Sequence, residues 1–130
     1  MLKRVKEDTM LFSIGGLAYG AIELLWRHRT HWTMIITGGI CFITLFRIFF
    51  KFKKLKTIYK CIIGSGVITG IELIVGCIVN IQFKMNVWDY SGVPLNLWGQ
   101  ICPIYSVLWG FLTLPILFVC NKMQNVVKYL

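Results

Sequence analysis

Two glutamates, Glu23 and Glu72, stand inside long apolar runs. A charged side chain at the centre of a membrane helix costs about 2.5–3.5 kcal/mol on insertion scales. An acid kept at that cost has three chemical uses: holding a cation, carrying a proton, or pairing with a basic side chain. Burial favours the neutral form of a carboxyl, and a second carboxylate nearby favours it further. The two acids lie 49 residues apart in matching contexts. Residues 14–24 align with 63–73 at five of eleven positions, including a shared Ile-Glu-Leu triplet. On a helix, Gly16, Gly20 and Glu23 share one face, and so do Ser65, Thr69, Glu72, Gly76 and Asn80. Small residues at that spacing let helices approach closely, so each Glu is expected to face inward.

Other groups with chemical capacity fall near the ends of these runs. Residues 86–100 hold Trp88, Asp89, Tyr90, Asn96 and Gln100 among Ser91, Gly92 and Pro94, a turn-forming composition. They are expected to cover the acids from outside, with Asn96 also suited to capping the next helix. Arg27 and His31 follow the first run and suit a charged network with Asp89. Thr69 and Asn80 are expected in support. Asp89, Glu72 and His31 are conceivable acid–base groups, but no nucleophile–base pair accompanies them, and no catalytic residue is assigned. Cys41, Cys61, Cys77, Cys102 and Cys120 form no CxxC pair and have no metal-like spacing with His28 or His31. They read as small apolar residues, and neither a metal nor another cofactor is expected.

The elements that position these groups follow from composition. The 130 residues are 57% hydrophobic and only 15% charged, with a net charge of +9. Soluble domains average about 25% charged residues, so a basic nucleic-acid-binding domain is excluded, and a disordered tail with it. A membrane-crossing helix needs about 20 mostly apolar residues. Four spans meet that test: 10–26, 32–50, 61–83 and 101–120. The first also resembles a signal peptide, but Glu23 and Trp26 follow with no small-residue cleavage site, so it is read as retained. Strict alternation is absent, so a barrel is not expected.

Eleven of the fourteen basic residues fall before span 1, in or after the end of span 2, or after span 4. Only Arg27, Arg29 and Lys84 fall on the other side. The excess predicts both termini on the cytoplasmic side of a plasma membrane. The expected fold class is an all-α, multi-pass membrane protein of four transmembrane helices, built as two parallel-repeat helical hairpins. Residues 1–9 are a cytoplasmic start, 10–50 the first hairpin, 51–60 a basic loop, 61–121 the second hairpin with outer loop 84–100, and 122–130 a tail. Lysines 51, 53, 54 and 56 are expected against anionic lipid rather than nucleic acid, and Arg47 is expected to snorkel to the headgroups. Gly66 and Gly70 offer a second small-residue face for another helix or subunit, as in a homo-oligomer.

The run Trp88-Asp89-Tyr90-Ser91, followed by Pro94, Asn96, Gly99 and Ile101-Cys102, resembles the signature of the bacterial ABC-transporter type IV family, also called the CmpB family. The Ile-Glu elements of spans 1 and 3 are similar to it too, as is His31-Trp32 followed by Gly38-Gly39. The resemblance covers residues 12–120. One departure is Gln100, where many members have Arg. The resemblance implies a bacterial membrane transporter of a small molecule or cation. The expected site is Glu23 and Glu72, covered by Trp88, Asp89, Tyr90, Asn96 and Gln100. The chain itself holds no P-loop. The alternative expectation is a scaffold or accessory subunit of a larger membrane complex, in which the acids and the loop are structural.

Overall fold

The computed structural model describes residues 2–28 and 31–128. Arg29, one of the three basic residues assigned to the outer side, lies outside them, as do Met1, Thr30, Tyr129 and Leu130. The described residues form four α-helices: α1 Leu2–Arg27, α2 Trp32–Lys51, α3 Thr57–Gly76 and α4 Pro103–Val127. A π-helical segment, Cys77–Gln82, continues α3. Each of the four is long and apolar enough to cross a membrane, α3 being counted with its π extension. The chain divides into two compact units, residues 1–55 with 115–130, and residues 56–114.

In the first unit α1 packs on α2 through glycines where the backbones come close. A Cβ at Gly16 would stand 2.7 Å from the Ile35 carbonyl, and one at Gly38 would stand 2.5 Å from the Tyr19 Cβ. Gly15 meets Phe42 and Gly39 meets the Phe12 ring in the same way. Hydrogen-bonded helices in hydrocarbon gain little from burying apolar surface, so this proximity is how they hold together. Leu11, Leu45 and Phe46 are fully buried, and Met123 and Cys120 of α4 are buried in the same unit. Threonine and serine hydroxyls are satisfied within their own helices, Thr37 on Thr33 and Ser13 on Thr9. His31 caps α2: its Nδ1 accepts from the Thr33 amide at 3.2 Å.

Helix α1 begins at Leu2 rather than Met10, which carries Glu7 and Asp8 onto the helix. Arg47 donates to both acids, 3.1 Å from Glu7 and 2.6 Å from Asp8. This corrects the expectation that Arg47 reaches for headgroups. The guanidinium is held by charge-assisted hydrogen bonds to the two carboxylates.

In the second unit α3 runs antiparallel to the first half of α4. Ser65 donates to the Ser106 carbonyl at 2.6 Å, and the Thr69 and Ser106 hydroxyls lie 2.9 Å apart. Gly64 sits against Thr113, which is fully buried. Large apolar side chains cover the outside of both units, among them Leu17, Leu25, Ile62, Ile74 and Phe118. Such surface is stable only against hydrocarbon or another apolar body.

Candidate functional site

Glu72 lies on the inner face of α3 and is only 4% exposed. The Tyr90 hydroxyl donates to its Oε2 at 3.3 Å. Tyr90 stacks on Tyr105 of α4, with ring centroids 4.6 Å apart and planes 9° from parallel. Tyr105 in turn leans on Trp109. The carboxyl is thus roofed by a phenol that aromatic stacking fixes in place. Burial first, and then the neighbouring Glu72 charge, holds the Tyr90 phenol far above its ordinary range. It therefore stays protonated and keeps its donor.

The roof is fastened to the end of α3 by two amides. In the π segment, the Asn80 Oδ1 accepts from the Val87 amide at 2.7 Å and the Trp88 amide at 3.4 Å. Its Nδ2 donates to the Gln100 Oε1 at 2.8 Å. The Gln100 Nε2 donates to the Trp98 carbonyl, and the Trp88 indole donates to the Gln100 carbonyl, both at 3.0 Å. Trp88 and Gln100 are both buried. They press on Gly76, where a Cβ would meet the Gln100 Oε1 at 2.5 Å and the Trp88 ring at 2.9 Å. π turns recur at functional sites, and here the wide turn carries the residue that ties the loop down.

The loop crest closes on itself. The Asp89 Oδ1 accepts from the Ser91 amide at 2.9 Å. That bond holds the Asp89 carboxyl below its ordinary range, and the Ser91 hydroxyl adds to the effect. Tyr90 N–H donates to the Gly99 carbonyl at 2.7 Å. Asn96 accepts from the Gly99 amide and donates to the Ser91 and Val93 carbonyls. Asn96 therefore does not cap α4, which starts at Pro103; its amide is used inside the loop. Lys84, Asn86, Leu95, Trp98 and Gly99 all adopt left-handed backbone, a dense set that the hydrogen bonds must hold. At Gly99, with φ of +71°, a side chain would also strike Asp89.

The structure thus brings Glu72, Trp88, Tyr90, Gln100 and Asn80 into one connected cluster, with Asp89 and Asn96 in the loop above. Thr69 lies one turn from Glu72, on Ser106. Glu23 belongs to the first unit, where it is 7% exposed and ion-paired with Arg27 at 3.3 Å. His31 is engaged as the α2 cap in that unit. Sequence reasoning missed Tyr105, Ser106 and Trp109. The i, i+4 spacing of Tyr105 and Trp109, with Ser106 three residues before Trp109, was the available signal. It also missed the second amide partner that Gln100 supplies to Asn80. Among the described residues no group of three or more His, Cys, Asp or Glu is placed to hold a metal ion, and no disulfide joins the five cysteines.

Compared with known proteins, residues 10–130 match the model of a family described as "Putative ABC-transporter type IV". No curated protein and no solved structure matches the chain.

Proposed function

The chain belongs to that ABC-transporter type IV family and has four helices able to span a bilayer, and from this premise we propose that it works as a small membrane transporter or permease-like protein. In this reading Glu72 is the intramembrane acid that takes a cation or a proton, and the Tyr90 hydroxyl is the group a cation displaces. Loop residues Trp88, Asp89, Asn96 and Gln100 act as the outer cover. Glu23, with Arg27 and His31, is a second acidic position. The observation that carries the reading is a buried carboxyl that accepts a hydrogen bond from a neutral phenol. Polar groups of this kind inside spans mark ion and substrate routes.

In this reading the chain forms two hairpins in a bacterial plasma membrane, and the charge distribution supports both termini in the cytoplasm, against anionic lipid. Without a P-loop in this chain, energy for uphill transport would come from an ion gradient or another subunit. A homo-oligomer fits the open small-residue face at Gly66 and Gly70.

The test is flux in proteoliposomes, read with an entrapped pH dye and with tetraphenylphosphonium as the cation probe. Glu72→Gln should abolish proton or cation movement while the protein still inserts and elutes as wild type. Unchanged movement in that variant overturns the reading. A second reading, a scaffold or accessory subunit, draws on the Glu23–Arg27 ion pair and on the closed hydrogen bonding of the loop. It predicts no flux from wild-type protein alone, and co-purification of a larger membrane complex.

A further inference from the structure

Tyr90 reaches Glu72 from a backbone that is already fixed. Its amide donates to the Gly99 carbonyl at 2.7 Å, and its carbonyl accepts from the Val93 amide at 2.8 Å. Neither bond uses the side chain, so the phenol can turn about its Cα–Cβ bond while the loop crest stays closed. Tyr90 and Tyr105 are both only half-buried, which leaves the phenol an open side to turn toward.

Two interactions orient that side chain, and they are unequal. At 3.3 Å the hydroxyl stands about 0.6 Å beyond the usual O–H···O separation of about 2.7 Å. The stack on Tyr105, with centroids 4.6 Å apart and planes 9° from parallel, has the geometry of a well-formed aromatic pair. The ring therefore rests where Tyr105 puts it, and the hydroxyl takes the distance that is left.

Tyr105 is anchored in its turn. It leans on Trp109, one turn along α4, with centroids 6.1 Å apart. The next residue, Ser106, accepts from Ser65 through its carbonyl at 2.6 Å, and its hydroxyl lies 2.9 Å from that of Thr69. Ser65, Thr69 and Glu72 share one face of α3. The register set between α3 and α4 at Ser106 is thus passed through Tyr105 and Tyr90 back to α3, at the carboxyl one turn beyond Thr69.

We infer that Tyr105 is a positioning residue: it latches the Tyr90 side chain over Glu72, and release of the stack uncovers the carboxyl while the loop stays closed. The importance of the latch rests on the reading of Glu72 as the working acid, but its existence can be measured without transport.

The test is the rate at which dicyclohexylcarbodiimide labels Glu72 in the full chain purified in detergent, read by peptide mass mapping. This apolar reagent adds to a protonated carboxyl: the carboxyl oxygen bonds its central carbon, the proton passes to its nitrogen, and nothing leaves. Glu72→Gln is the blank. Tyr105→Leu should speed labelling about three- to tenfold, the range that loss of an aromatic pair supplies. Tyr105→Phe keeps the stack and should label as wild type does. In a Tyr90→Ala background Tyr105→Leu should add nothing, because Tyr105 acts through the Tyr90 ring. Hydrogen exchange over residues 84–102 should be the same in Tyr105→Leu as in wild type. Tyr105→Ala gives the same comparison if the Leu variant does not elute as wild type.

Equal labelling of wild type and the Leu or Ala variant overturns the inference, and so does labelling that never rises above the blank. Tyr105→Phe labelling as fast as Tyr105→Leu overturns it, since the ring would then not be the latch. A further gain in the Tyr90→Ala background, or faster exchange across the whole loop, overturns it as well. Absence of flux from wild-type proteoliposomes counts against the transport reading alone and leaves the labelling result standing.

Discussion

Replacing Asn80 with alanine tests whether the outer loop is built from α3. The side chain serves three partners: the Val87 amide at 2.7 Å, the Trp88 amide at 3.4 Å and the Gln100 carboxamide at 2.8 Å. Val87, Trp88 and Gln100 are each 6% exposed or less. Truncation therefore leaves a buried N–H and a buried carboxamide oxygen to find water. Each such orphan costs about 1–3 kcal/mol. The 3.4 Å contact adds little, and water entry relieves part of the rest, so a total of about 2–4 kcal/mol is expected. At 1.4 kcal/mol per factor of ten, local opening of the loop becomes about 30- to 700-fold more frequent. Hydrogen exchange by mass spectrometry on peptides spanning residues 84–102 measures that opening directly. Gln82→Ala is the control, because Gln82 shares the π segment and is exposed. It should change protection by less than about threefold. If Asn80→Ala also leaves protection within threefold, the amide network does not hold the loop, and the argument for a fixed roof over Glu72 fails.

The remaining expectations concern packing and charge. Gly64→Leu, facing buried Thr113, should cost about 1–3 kcal/mol and lower the melting temperature, while Gly66→Leu, with nothing within 4 Å, should stay within about 0.5 kcal/mol. Arg47→Ala should destabilise by about 1 kcal/mol by releasing Glu7 and Asp8, and equal melting of variant and wild type would show the clasp to be idle. The Asp89 carboxyl titrates below its ordinary 3.8 because the folded loop favours its ionised form. Its support is complete above about pH 4 and is lost as pH falls through the lowered folded-state value. Loop exchange should accelerate over that acid range, and Asp89→Asn should flatten the dependence.

The spans were legible because hydrocarbon admits few solutions, and 18-residue apolar windows announce them. The inner face of α3 was legible too, since Ser65, Thr69, Glu72, Gly76 and Asn80 break an otherwise aliphatic pattern at helical spacing. Three features were not. The segment Cys-Ile-Val-Asn-Ile-Gln at 77–82 contains nothing that separates a π turn from an α turn. Its geometry comes from what Asn80 meets on the returning loop. Asn96 has the residue type of a helix cap, yet Ser91, Val93 and Gly99 lie closer to it than the helix start does. Arg47 near a helix end fits snorkelling on local grounds. Only the distant pairing of α1 with α2 brings Glu7 and Asp8 to it.

The wide turn at Cys77–Gln82 also sets where this chain tolerates changes in length. One residue in a helix corresponds to about 100° of rotation. Deleting a single position from that segment would restore an α-helical ladder and swing Asn80 away from Val87 and Gln100. The same deletion near Gly92, whose surroundings are open, shortens an exposed crest. A one-residue deletion should therefore be tolerated better at Gly92 than anywhere within 77–82.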